Sequence, residues 1–330
     1  MDTKVLRVGI IGAGHIAEKM ARTLARMQDM TCLAIGSRSL EKAQDFAERF
    51  EIPRAYGSYN ALLDDPDVDL VYVATPHSHH YDVARRAITK GKPCLVEKAF
   101  MANASQAEAI LNLAGNRNVF VAEAIYTRYL PAVQLIRDLI ASGTIGRVRT
   151  VSATLSYDVS AKERIQRPEL CGGALLDLAV YGINFIRSYV DSPIVRTSSL
   201  CSLFGTGTDM SESISFLHAD GTVSQVLSSA ACQGDNVGVI AGTFANIWVD
   251  DVNNPQRICI YGKHHDLKAE YTVPEQITGF EYELRACRDA LAAGAIEPPQ
   301  MPHAETRAVM RQMDRLRRDW GVRFPMDPFA

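Results

Sequence analysis

Short apolar runs alternate with amphipathic stretches through the first third of the chain. Val5–Ile11 reads as a fully buried strand, and His15–Met27 as a helix. The alternation then repeats. Thr31–Gly36, Leu70–Ala74, Pro93–Glu97 and Val119–Glu123 read as strands. Ser39–Phe50, with Ser39 as N-cap, His79–Thr89 and Ala104–Ala114 read as helices. Strand and helix in strict turn predict a parallel sheet with crossover helices.

Past Glu123 the texture changes. A helix over Pro131–Ser142 is followed by alternating, β-branched segments: Val148–Leu155, Ser213–Leu217, Thr222–Ser228, Gly238–Thr243, Ala245–Val249, Arg257–Tyr261 and Leu267–Thr272. Strands in succession with turn-rich joints predict an antiparallel or mixed sheet. One helix, Ala174–Val190, interrupts them, and Thr278–Ala293 and Ala304–Asp319 close the chain as helices. The expected division is a first domain over 1–124 and a second over 125–330, with the final helix packing back on the first.

Length agrees with two domains, since 330 residues exceed what one ordinary core holds. Thirty-five Lys and Arg against 38 Asp and Glu give a net charge of −3, without the basic excess that nucleic acid or an anionic membrane would need. No apolar run approaching the ~20 residues of a membrane span is expected. The opening MDTKVLRVGIIGAG runs directly into a strand pattern rather than a signal-peptide pattern. Seven scattered cysteines without a C-x-x-C pair suit reduced thiols. A cytoplasmic protein is the expectation.

Chemistry enters at Gly12-Ala13-Gly14-His15-Ile16-Ala17, where a strand gives way to a helix. Gly12 allows the tight turn, Gly14 leaves room for a pyrophosphate, and Ala17 lets helix and strand approach. The N–H groups of the first helical residues, His15 and Ile16, would face the phosphate at the positive end of the helix. A ligand-free glycine turn is the alternative, and placement in the first strand–helix unit favours dinucleotide binding. At the end of the second strand an NAD site usually carries a carboxylate for the ribose 2′-hydroxyl. Here stand Ser37 and Arg38, with Lys42 one helical turn on. A guanidinium can pair with a 2′-phosphate, so NADP(H) is expected, with NAD(H) as the alternative.

Asp177 and Tyr181, four apart on an otherwise apolar helix, share one face. Taken alone they read as buried polar groups satisfied by the backbone. Lys98 ends a parallel strand, on the edge where such sheets bind ligands, although most lysines are only surface charges. His77, His79 and His80 lie close in sequence without an acidic or cysteine companion, which argues against a metal site. Trp248 and Trp320 read as core or interface aromatics.

The segments VGIIGAGHIA, VYVATPHSHHYDVA, GKPCLVEKAF, EAIYTRYLP and CGGALLDLAVYGINF, in this order and spacing, resemble the Gfo/Idh/MocA oxidoreductases, and within them the subgroup of dihydrodiol and xylose dehydrogenases. The resemblance spans the chain and is firmest in its first 190 residues. It implies an N-terminal Rossmann doubly wound parallel sheet and a C-terminal α/β domain with a large open, mostly antiparallel sheet, with the active site between them. It assigns catalysis to Lys98, Tyr181 and Asp177. Tyr181 would be the general acid/base, Lys98 would polarise the reacting oxygen and favour ionisation of the phenol, and Asp177 would bind a second hydroxyl. Ala74, Thr75, Pro76, His77, His80 and Glu97 would join Lys98 at the cofactor. Tyr126 and Arg128 would contact substrate, Arg128 having a tie between the domains as its other reading. One departure stands out: the usual Glu-Lys-Pro is here Glu97-Lys98-Ala99.

The expected reaction is hydride transfer between NADP(H) and a secondary alcohol of a sugar, cyclic polyol or dihydrodiol, by a homodimer or higher homo-oligomer. Three rivals share the scaffold: a glycoside hydrolase working by transient oxidation, a non-catalytic NADP-binding regulator, and, at the level of fold alone, a methyltransferase.

Overall fold

A computed structural model describes residues 5–328. Six strands and the helices between them occupy the first part of the chain: β1 (Leu6–Ile11), α1 (His15–Arg26), β2 (Met30–Gly36), α2 (Leu40–Phe50), β3 (Arg54–Tyr56), α3 (Tyr59–Leu63), β4 (Leu70–Val73), α4 (His77–Thr89), β5 (Cys94–Glu97), α5 (Ala104–Arg117) and β6 (Val121–Ala124). A 3-10 turn (Tyr126–Tyr129) leads into α6 (Pro131–Ala141), β7 (Val148–Ser156), α7 (Glu163–Gln166), a second 3-10 turn (Pro168–Leu170), a π-helical turn (Leu175–Ala179) and α8 (Val180–Tyr189). Then come β8 (Ile194–Leu203), β9 (Asp209–His218), β10 (Val223–Ser229), β11 (Gly238–Gly242), β12 (Asn246–Val249), β13 (Arg257–Tyr261), β14 (Leu267–Thr272), α9 (Phe280–Ala292) and α10 (His303–Trp320).

These elements form two units. One comprises the chain up to Tyr126 together with Gln276–Met310, and the other Thr127–Glu275 together with the chain from Arg311. A single cut after residue 124 does not describe this division, because α9 and the first turns of α10 return to the first unit.

In the first unit all strands are parallel, in the order β3-β2-β1-β4-β5-β6. β4, β5 and β6 are buried at every position, as strands covered on both faces must be. The order reverses between β1 and β4, and the crevice at the carboxyl ends of those strands is where doubly wound sheets take their ligands.

The second unit holds an eight-stranded sheet in the order β14-β13-β12-β11-β7-β10-β9-β8. Only β7 and β10 pair in parallel. α8 lies on β7 and β10. A Cβ on Gly182 would come within 2.8 Å of Val226, so glycine is what lets helix and sheet sit this close.

The sequence pattern missed β3, α3 and all of β8. It also underrated one apolar run. Pro168–Tyr189 has the length and hydropathy of a membrane span, but 83% of its most apolar 18-residue stretch is buried inside the fold, which makes it a core helix.

Candidate active site

The glycine turn has the geometry a phosphate needs. Gly12 has φ +105°, and a Cβ there would stand 2.5 Å from the Ala74 carbonyl oxygen. Gly14 precedes α1 as its N-cap, and a Cβ there would meet nothing within 4 Å. No side chain caps this helix end. His15 is exposed and Ile16 half-buried, while Ala17 is fully buried against the sheet. Open space before an uncapped helix N-terminus is a ready anion site.

Two neighbouring strand ends complete this edge. After β2, Ser37 is buried and its N–H donates to Tyr56 O, and Ser39 caps α2 by accepting from Lys42 N (3.4 Å). Arg38 and Lys42 are exposed. The positive charge of Arg38 reaches His79, whose pKa is lowered chiefly by burial and further by that guanidinium. No carboxylate occupies positions 37 to 39.

After β4, Ala74 N donates to Ile11 O (2.8 Å), and Pro76, exposed, starts α4. Thr75 Oγ1 and Ser78 Oγ are buried without hydrogen-bond partners. Buried orphan hydroxyls beside an open phosphate cradle fit a bound nucleotide.

His77 and His80 both turn toward the segment after β5. Nε2 of His77 donates to Lys98 O (3.2 Å). His80 is wholly buried, with Nε2 2.8 Å from Thr75 O and Nδ1 3.0 Å from Ala99 O. Burial lowers its pKa to about 4, so the ring is neutral and donates on one side only. His80 thus ties the segments after β4 and β5 together.

Glu97 is buried and accepts from the Tyr72 hydroxyl and from Lys98 N. Burial raises its pKa. Lys98 is half-buried, and the Lys98–Ala99 peptide is cis.

The same unit adds two charged residues that the sequence did not single out. Lys19 of α1 lies 4.1 Å from the Phe280 ring centroid and 5.0 Å from that of Tyr126, and burial lowers its pKa. Glu283 of α9 is fully buried with neither carboxyl oxygen hydrogen-bonded, and its pKa is raised by burial and then by Glu97. Tyr126 is packed on Phe280.

In the second unit, Asp177 sits in the π-turn and Tyr181 one turn beyond it, at the start of α8. Asp177 accepts a bidentate pair from Arg164 of α7, at 2.7 and 3.0 Å. The carboxylate expected to take a second substrate hydroxyl is thus held by a guanidinium that sequence reasoning overlooked. Arg128 is buried and donates to Ser188 Oγ (3.2 Å) and Asn184 O (3.5 Å), bracing α8.

The sites of the two units thus consist of a nucleotide cradle at the ends of β1, β2, β4 and β5, and a phenol one turn from an ion-paired carboxylate. Such a molecule is a nicotinamide-dinucleotide oxidoreductase. Residues 6–124 match an oxidoreductase family with an NAD-binding Rossmann fold, and residues 133–267 match the Gfo/Idh/MocA C-terminal domain. A trans-1,2-dihydrobenzene-1,2-diol dehydrogenase of Xenopus tropicalis is 34% identical, covering 96% of this chain and 98% of that protein. The Bos taurus protein of the same name is 30% identical, covering 98% and 99%. Among solved structures, a levoglucosan dehydrogenase with NADH and levoglucosan superposes with a TM-score of 0.85 at 20% identity, covering 96% of this chain and 97% of that one. KijD10, a 3-ketoreductase from Actinomadura kijaniata solved with NADP and TDP-benzene, gives 0.84 at 24%, covering 94% and 96%. The chain belongs to the Gfo/Idh/MocA oxidoreductase family. It is an enzyme that uses NAD(P).

Proposed function

We propose that the enzyme reversibly oxidises a secondary alcohol of a trans-dihydrodiol, sugar or cyclic polyol, with NADP(H) as the preferred nucleotide. One observation carries the reading: from Cys171 to Ile186 every residue is buried except Tyr181. A run that hides its other side chains and leaves this phenol half-buried presents it to a ligand.

When bound, the nicotinamide supplies the hydride acceptor. Tyr181 exchanges the hydroxyl proton, and Lys98 polarises the same oxygen with its ammonium. Asp177, neutralised by Arg164, orients a further hydroxyl together with that guanidinium. Glu97 holds the backbone of Lys98, and Gly14, Thr75 and Ser78 receive the nucleotide. A mixed panel of dihydrodiols, sugars and inositols, followed by nicotinamide absorbance with each nucleotide, tests the proposal. Turnover of a vicinal diol or polyol with NADP is expected, and inertness toward the whole panel contradicts it.

The working molecule is proposed to be a homodimer joined through the open face of the eight-stranded sheet. Leu200 (79% exposed) and Leu227 (49%) flank Ser213 across paired strands, and Leu217 stands beside Val223 on the same side. Four large apolar residues exposed on one sheet face favour a cover, and a second copy presents a matching face. Sedimentation should show a dimer that Leu200→Glu splits; a wild-type monomer contradicts it. Seven cysteines outside any disulfide support a cytoplasmic setting.

A further inference from the structure

The helical segment that carries Asp177 and Tyr181 starts without a cap of its own. Ala174, just before the π-turn, has helical backbone angles and no side-chain acceptor. A helix start leaves N–H groups that its own turns do not satisfy. Here the acceptor comes from a distant strand. Asp209, the first residue of β9, accepts through Oδ2 from the Leu175 N–H. Its Oδ1 faces Gly173, where φ is +115° and a Cβ would overlap the carboxylate.

The preceding residue makes a second clamp. Thr208 donates from Oγ1 to the Ile165 carbonyl oxygen of α7 (3.1 Å). A Cβ on Gly172 would overlap the carbonyls of Arg164 and Ile165, so the two segments cross here with no side chain between them. Thr208 and Asp209 are both 0% exposed. Two adjacent side chains therefore grip the two segments that supply Arg164 and Asp177, the partners of the bidentate pair.

We infer that Asp209, assisted by Thr208, is a positioning residue for the reaction: its carboxylate fixes the first turn of the Asp177–Tyr181 segment and so sets where the reactive phenol stands. The inference rests on Tyr181 being the proton-exchanging group. Neither residue touches substrate or nucleotide in this role; both act through the helix.

The charge of Asp209 matters as well as its shape, because an anion is favoured at a helix N-terminus. Burial pushes its pKa up to about 6, and Arg317 of α10 pulls the other way. Glu212, on the same strand, is buried with neither oxygen hydrogen-bonded, and its pKa is raised by burial and then by Asp209. Cys201 of β8 also feels Asp209, and burial foremost pushes its thiol up to about 12. Above pH 6 Asp209 is therefore the charged member of the group beside Arg317, and below it the cap loses its charge.

Asp209→Asn keeps an acceptor for Leu175 and loses the charge, whereas Asp209→Ala loses both. Turnover should fall about 10-fold in the first and about 10²-fold in the second, with KM for the nucleotide within about twofold of wild type, because a small misplacement of a reacting group costs kcat. The wild-type kcat should fall on the acid side near pH 6, and Asp209→Asn should lack that limb. Amide hydrogen exchange over 173–181 should quicken in Asp209→Ala.

Exchange reads the cap whatever the protein turns over, so its result is separable from the proposed function, which fails instead if wild type turns over no diol or polyol. Unchanged exchange in Asp209→Ala, quickened exchange with wild-type kcat, or an acid limb kept in Asp209→Asn would overturn the inference. Should Asp209→Ala not fold, Asp209→Asn and Thr208→Val decide: a several-fold lower kcat in both at wild-type nucleotide affinity supports it, and wild-type kcat in either overturns it.

Discussion

The proposed preference for NADP(H) rests on one side chain, Arg38. It stands exposed where β2 enters α2, with Ser37 before it, Lys42 a turn later and no carboxylate to accept from a ribose hydroxyl. A charge-assisted hydrogen bond contributes about 1.5–3 kcal/mol, which is roughly 10- to 100-fold in affinity. Arg38→Ala should therefore weaken NADP(H) by that factor and leave NAD(H) nearly unchanged, as titration of each nucleotide would show. Equal losses would remove the 2′-phosphate assignment. The place of Arg38 in the fold was readable from the sequence because the motif itself fixes where the second strand ends. Arg164 was not, since its pairing with Asp177 depends on how α7 folds against the π-turn. Glu283 and Lys19 share that obscurity. Each sits on a helix whose sequence pattern marks the residue as polar without saying what surrounds it.

Among the elements, the parallel sheet was legible because strands buried on both faces are continuous apolar runs. β8 was not. It is a Ser- and Thr-rich edge strand whose positions are all half-buried or exposed, so no alternation betrays it. The helix carrying Asp177 was found, but its π-turn was not, because a π-turn leaves the apolar pattern intact while shifting the register of the residues beyond it. At Gly182 α8 comes close to the sheet. Alanine there gains up to about 1 kcal/mol of helix propensity. Its Cβ, 2.8 Å from Val226 Cγ1, forces an overpacking cost of about 1–3 kcal/mol. The second effect is the larger, so Gly182→Ala should lower the denaturant midpoint, and a raised midpoint would show that the helix yields freely.

At the scale of the whole molecule, the chain leaves its first unit after Tyr126 and returns at Gln276, bringing Phe280 beside Tyr126 and Glu283 into the surroundings of Glu97. A boundary read from changing texture finds the departure and expects only the final helix to return, because α9 carries an ordinary amphipathic pattern that does not name its partner. The proposed function assigns Lys98 and Tyr181 to a single hydroxyl. A double-mutant cycle on kcat/KM with NADP and the best diol or polyol measures that cooperation directly. Lys98→Met and Tyr181→Phe should each lower kcat/KM by about 10²–10⁴-fold. The double variant should be little worse than the poorer single one, since groups acting as one unit are strongly non-additive. Losses that simply multiply, or a near-normal rate in either single variant, would contradict the account.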